Sequence, residues 1–92
     1  MIVSFKDTDT FELFTARKHR NWANVAKVAL RKLDQLEAAV SLEDLRVPPV
    51  NRLEALKGDR KGQHSIRIND QFRVCLYWKA DGAHDVEITD YH

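Results

Sequence analysis

From Gln63 onward the chain alternates apolar and polar residues with almost no slack between one run and the next. In Gln63 to Ile68, Ile66 and Ile68 fall on one side while Ser65 and Arg67 fall on the other. In Phe72 to Trp78, Phe72, Val74, Leu76 and Trp78 alternate with Arg73, Cys75 and Tyr77, and further on Val86 and Ile88 alternate with Asp85, Glu87, Thr89 and Tyr91. A period of two is the period of a strand. The links, Asn69 to Gln71 and Lys79 to Gly82, are too short for a crossover, and Asp81-Gly82 is a hairpin dipeptide. Three antiparallel strands are therefore predicted. One face is apolar and must be covered, and the other is polar, carries Arg67 and Arg73, and is left open to a ligand.

The cover has to come from upstream. Ile2, Val3 and Phe5 read as a short opening strand, and Thr10 as the N-cap of a brief helix with Leu13 and Phe14 on its apolar side. The run from Arg17 to Arg20 suits that helix's negative end. Between Asn21 and Val40, Trp22, Val25, Ala26, Ala29, Leu33, Leu36 and Val40 recur at intervals of three and four, the stripe of a helix lying on a sheet. Lys27, Arg31, Asp34 and Gln35 fall on its solvent side. Ser41 to Leu45 adds a capped turn, Pro48 and Pro49 force a bend, and Leu53 and Leu56 anchor the segment behind it. Gly58 and Gly62 bracket a tight connection into the first of the three strands. A chain of 92 residues supports one core, so the expectation is a single domain over 1–92. Its class is α+β, a small antiparallel sheet packed on one side by two N-terminal helices.

Net charge is +1, so no strongly basic surface announces a nucleic-acid ligand, and the distribution of charge has to carry that case. Basic residues gather at Arg17 to Arg20 and again at Arg52, Lys57, Arg60 and Lys61. The lone cysteine, Cys75, excludes a disulfide framework and reads as a small buried hydrophobe. The four histidines stand at no metal-ligand spacing, so neither a metal nor a cofactor is expected. The N-terminus lacks the pattern of a secretory signal and no apolar run reaches membrane-spanning length, which gives a cytoplasmic expectation with no membrane partner.

Arg73, on a strand between apolar neighbours, is read either as a cross-strand ion pair with Glu87 or Asp85 or as a phosphate clamp. Glu54 and Lys57, three residues apart, would project beside the open face. His92 brings an imidazole able to move a proton at neutral pH, with Asp90 and the terminal carboxylate favouring its charged form. Strict alternation puts Asp90 and His92 on the core side, so the strand must twist or end before they join Arg73. Together these residues offer what metal-free phosphodiester cleavage needs: a proton acceptor, a proton donor and fixed cations.

The run from Leu53 to Gly62, the Ser65-Ile66-Arg67 strand, the Phe72-Arg73 pair and the closing Asp90-Tyr91-His92 resemble the C-terminal half of the HigB-like toxins of the RelE superfamily, of the plasmid maintenance killer type. The resemblance implies a RelE-like microbial ribonuclease fold and a ribosome-dependent messenger RNA endoribonuclease. It implies attack of a ribose 2′-OH on the adjacent phosphate. It assigns Lys57 and Arg73 to phosphate charge, His92 to proton transfer with Asp90 orienting it, and Arg60, Arg67 and Tyr91 to RNA binding. Glu54, where the family often has a histidine, becomes a base or an orienter of the 2′-OH. The implied partners are messenger RNA, the ribosome and a cognate helix-turn-helix, HigA-like antitoxin, in an oligomeric complex that binds operator DNA through the antitoxin. The competing reading is the same fold as a non-catalytic RNA- or protein-binding module.

Overall fold

The computed structural model describes residues 1–90. Helix α1 spans Thr8–Ala16 and α2 spans Ala26–Ala38; strands β1 (Glu54–Ala55), β2 (His64–Arg67), β3 (Arg73–Lys79) and β4 (Gly82–Thr89) form one sheet in the order 1-2-3-4. Every pairing between these strands is antiparallel, with Ile66 opposite Val74 and Val74 opposite Ile88. Leu13, Ala29, Leu33 and Leu36 from the helices and Leu45 from a 3₁₀ turn share one buried core with Ile66, Val74, Leu76, Val86 and Ile88. The helices thus cover the face that the alternation marks as apolar.

The polar face departs from the expectation of an open surface. Arg60 reaches across the sheet to Thr89 and Glu87 on β4, at 3.5 and 3.6 Å, and Gln63 bonds both Arg60 and the Tyr77 hydroxyl. Ser65 and Cys75 are fully buried. Among the described residues, the end near Arg67 and Arg73 is open as a cleft. Asp85 leaves the alternation: its φ is 51°, and Tyr77 pairs with His84 beyond an irregularity in the β3–β4 ladder. The extra residue is a β-bulge, which shifts every residue before it by one place.

Local chemistry explains the other differences. The opening segment makes two parallel bridges to β4, Ile2 with Ala83 and Phe5 with Val86, instead of a continuous strand. Between them the Ser4 hydroxyl accepts from Asp85 N. Gly82 permits the close approach, since a Cβ there would stand 2.3 Å from the Met1 carbonyl oxygen. Asp7, not Thr10, caps α1: its Oδ2 accepts from Thr10 N at 3.1 Å. Thr10 is buried, and its hydroxyl accepts from Ile88 N of the sheet. The second helix begins five residues later than its stripe suggests because Arg20–Trp22 forms a separate 3₁₀ turn capped by His19, whose Nδ1 accepts from Asn21 N. It ends at Ala38, which leaves Val40 89% exposed rather than in the core. Trp22 still packs on the core, edge-on to Phe72 at 5.4 Å.

The run Arg17 to Arg20 divides its charges. Arg17 caps α1 in the left-handed region and makes a bidentate pair with Asp34 at 3.0 and 2.7 Å. His19 meets Asp9 and Glu12 at 3.2 and 3.3 Å. These three could converge on a cation, a grouping that histidine spacing alone does not reveal. With Nδ1 accepting from Asn21 N, however, the ring proton belongs on Nε2, between the two carboxylates. The cluster is satisfied as it stands.

Candidate active site

The open end of the polar face is a cleft of about 290 Å³ walled by Arg52, Glu54, Arg67, Asn69, Asp70, Gln71 and Arg73. Three arginines face two carboxylates there. Arg67 and Arg73 come from neighbouring strands and stand directly opposite one another in the β2–β3 register. Like charges in that relation destabilise a sheet, so their persistence asks for an anion.

Arg73 is held as a tool is held. Its Nε donates to Ser65 Oγ at 2.8 Å and its Nη2 to the Arg52 carbonyl at 2.8 Å, while Glu54 Oε1 lies 3.5 Å from Nη2. Nη1 makes no hydrogen bond among the described residues. A planar guanidinium fixed along one edge and open on another suits a phosphate oxygen. Neither sequence-level partner for Arg73 is the observed one: Glu87 instead pairs with Lys6 and Arg60, and Asp85 lies in the bulge. Arg67 bonds Asp70, which is almost fully exposed.

Of the remaining sequence-level candidates, Glu54 sits on β1 against Arg73. Asp90 accepts from the cleft residue Gln71, Nε2 to Oδ2 at 3.1 Å, which ties the end of the last strand to this site. Lys57 is exposed at the start of the 3₁₀ turn Gly58–Arg60 and is not part of the cleft wall. Arg60 lies farther along the polar face, over β4. Tyr91 and His92 lie outside the described residues. Sequence reasoning missed Arg52, Asn69, Asp70 and Gln71 as cleft residues and Ser65 as the anchor of Arg73. The β2–β3 turn carried a usable signal, because Asn69 to Gln71 must lie at the same sheet end as the opposed Arg67 and Arg73. The Arg52 carbonyl has no side-chain signal.

A family model described as the RelE-like toxin of type II toxin-antitoxin system HigB matches residues 3–92, the cleft included. The chain belongs to the HigB-like toxin family. This HigB-like toxin is 38% identical over 85 residues, 90% of its length and 88% of the relative's, to the protein named Toxin HigB-1 from Vibrio cholerae serotype O1 (strain ATCC 39315 / El Tor Inaba N16961). In fold it is similar to the YoeB-YefM complex from Staphylococcus aureus, with a TM-score of 0.62, 17% identity, and coverage of 100% of this chain and 98% of that one. The YoeB/ParE toxin from Agrobacterium tumefaciens matches with a TM-score of 0.56 and 18% identity over 99% of this chain and 98% of that one. The toxin is thus a RelE-family member of a toxin–antitoxin system, and no helix among its described residues is long and apolar enough to cross a membrane.

Proposed function

We propose that this HigB-like toxin is a ribosome-dependent endoribonuclease that cuts messenger RNA without a metal ion. The observation that carries the reading is the opposed Arg67–Arg73 pair in a cleft that also holds a carboxylate on Arg73. The scissile phosphate takes the open Nη1 edge of Arg73 and the guanidinium of Arg67, and displaces Glu54 from its place beside Nη2. That moves the Glu54 carboxylate off Arg73 and beside the reacting ribose. Glu54 then removes the 2′-OH proton, the O2′–P bond forms, and the P–O5′ bond breaks as His92 delivers a proton to O5′. The products are a 2′,3′-cyclic phosphate and a free 5′-OH. Asp90 orients His92, Tyr91 stacks on a base, and Lys57 and Arg60 draw the flanking phosphates. DNA lacks the attacking hydroxyl and is not cut.

The partners in this reading are a translating ribosome in the cytoplasm and a helix-turn-helix, HigA-like antitoxin, whose oligomeric complex with the toxin binds operator DNA through the antitoxin. A second reading has one observation in its favour: Glu54 neutralises Arg73 where a histidine would not, as suits a module that binds without cutting. Purified toxin added to ribosomes programmed with a defined message distinguishes the two. The expected result is fragments with 5′-OH ends, abolished by a 2′-deoxy substitution at the scissile position and by deletion of His92 in a protein confirmed to be folded. Binding with no fragments would establish the non-catalytic module.

A further inference from the structure

Asn51 is wholly buried. A buried carboxamide is destabilising unless its hydrogen-bonding groups are used, and here they are. Its Oδ1 accepts from Lys32 Nζ at 2.5 Å, and its Nδ2 donates to Gln35 Oε1 at 3.0 Å and to the Leu45 carbonyl at 3.1 Å. Lys32 and Gln35 stand one turn apart on α2, and Leu45 lies in the 3₁₀ turn Leu42–Arg46. One side chain therefore ties the bend at Pro48 and Pro49 to two other elements. Lys32 is itself only 4% exposed, and its pKa is lowered, first by burial and then by Arg31 and Arg67. Keeping an ammonium there, held by a neutral amide oxygen, is an expensive way to fasten a loop.

What the fastening sets is the next residue. Arg52 adopts φ 47° and ψ 54°, a left-handed conformation that is strained for any residue with a Cβ and persists only where the surroundings impose it. In that conformation its carbonyl receives Arg73 Nη2. We infer that Asn51, with Lys32 behind it, is a positioning residue for the cleft: it holds the turn Pro49–Asn51 on α2 so that the Arg52 carbonyl pins the Arg73 guanidinium and leaves Nη1 aimed outward. The inference rests on the proposed reaction for its consequence in catalysis, but its geometric part does not.

Two readouts test it. In spectra of toxin carrying ¹⁵N-labelled arginine, with Arg73 assigned through Arg73→Lys, the Nη2 protons should be protected and rotation about Cζ–Nη2 slow. Asn51→Ala should abolish both while the Nε proton on Ser65 stays protected. On programmed ribosomes, Asn51→Ala should lower the single-turnover cleavage rate roughly 10- to 100-fold, the scale of a small misplacement at a reacting centre, with little change in RNA affinity. In an Arg73→Ala background Asn51→Ala should cost nothing further, whereas a merely structural residue would cost the same in both. Should Asn51→Ala fail to fold, Lys32→Met keeps the aliphatic stem and both Nδ2 bonds, and should loosen Nη2 in the same direction by a smaller amount. Protected Nη2 protons in these variants, or a full additive loss in the Arg73→Ala background, would overturn the inference. Loosened Nη2 in a toxin whose wild type cuts no RNA would uphold the positioning and overturn the ribonuclease reading instead.

Discussion

Arg73 is the residue at which the two strand alternatives meet, since an ion pair and a phosphate clamp both need a guanidinium on the polar face and it has both. Glu54 at 3.5 Å balances the charge at rest, while Ser65 and Arg52 hold the group in place. Arg73→Ala should lower single-turnover cleavage by about 10² to 10³, the usual effect of removing one pre-placed donor at a transition-state anion. It should also lower the melting temperature slightly, because the Ser65 hydroxyl loses a donor inside the sheet; cleavage at wild-type rates would remove the clamp. Alternation made the position of Arg73 legible. Its anchors were not, because a backbone carbonyl 21 residues away reaches it only through the bend at the prolines. Cys75, by contrast, was fully legible as a small buried residue, and its thiol makes a test at alkaline pH. Burial pushes its pKa from 9.0 to about 11, with Arg60 as the largest opposing influence. The neutral thiol is favoured by the fold, so this contribution is complete below pH 9.0 and is lost as pH rises through about 11. At roughly 1.4 kcal/mol per unit the loss is of order 2–3 kcal/mol. Urea melts from pH 8 to 11 should show the wild type falling relative to Cys75→Ala; parallel curves would mean that the thiol is hydrated.

At the level of elements, three strands, two helices and the turns between them were readable because each has its own period or punctuation. The boundaries moved wherever a side chain substituted for backbone. Asp7 displaced Thr10 as the cap of α1, and Thr10 was then free to serve the sheet through Ile88 N. Both roles are measurable. Asp7→Ala should cost about 1 kcal/mol, the typical value of an N-cap, and lower the melting temperature by about 4–8 °C in a chain of this size. Thr10→Val should cost about 1–3 kcal/mol, since it leaves the Ile88 amide buried without an acceptor. The reverse order, with Thr10→Val the milder change in a thermal melt, would show that water reaches the Ile88 amide. Strand β1 was not foreseen as a strand because two residues are too few to show alternation, and it forms by pairing Glu54 and Ala55 with Ser65 and His64. That short pairing brings Glu54 beside Arg73, so the least legible element carries a central carboxylate of the cleft.

Over the whole molecule, a net charge of +1 conceals an uneven field. Arg17 and Arg46 are matched locally, by Asp34 and Glu43, whereas three arginines converge on a cleft whose described wall holds two carboxylates, Glu54 and Asp70. Composition could not show this, because convergence depends on the β2–β3 register and on the bend that carries Arg52 to the sheet. The same geometry sets function against stability. Arg67 stands directly opposite Arg73, and its own counter-ion, Asp70, is almost wholly exposed, so the pair repels across the ladder with weak compensation. Arg67→Gln should therefore leave thermal stability unchanged or raise it by a few tenths of a kcal/mol. Inorganic sulfate, which offers the cleft two anionic oxygens, should raise the melting temperature of the wild type more than that of the variant. Affinity for an RNA made uncleavable by a 2′-deoxy substitution should fall, and its dependence on the logarithm of salt concentration should become shallower by about one unit, as expected when one phosphate contact is lost. A variant that is less stable, binds the RNA as tightly and keeps the wild-type salt slope would mean that Arg67 serves the sheet and that RNA runs elsewhere.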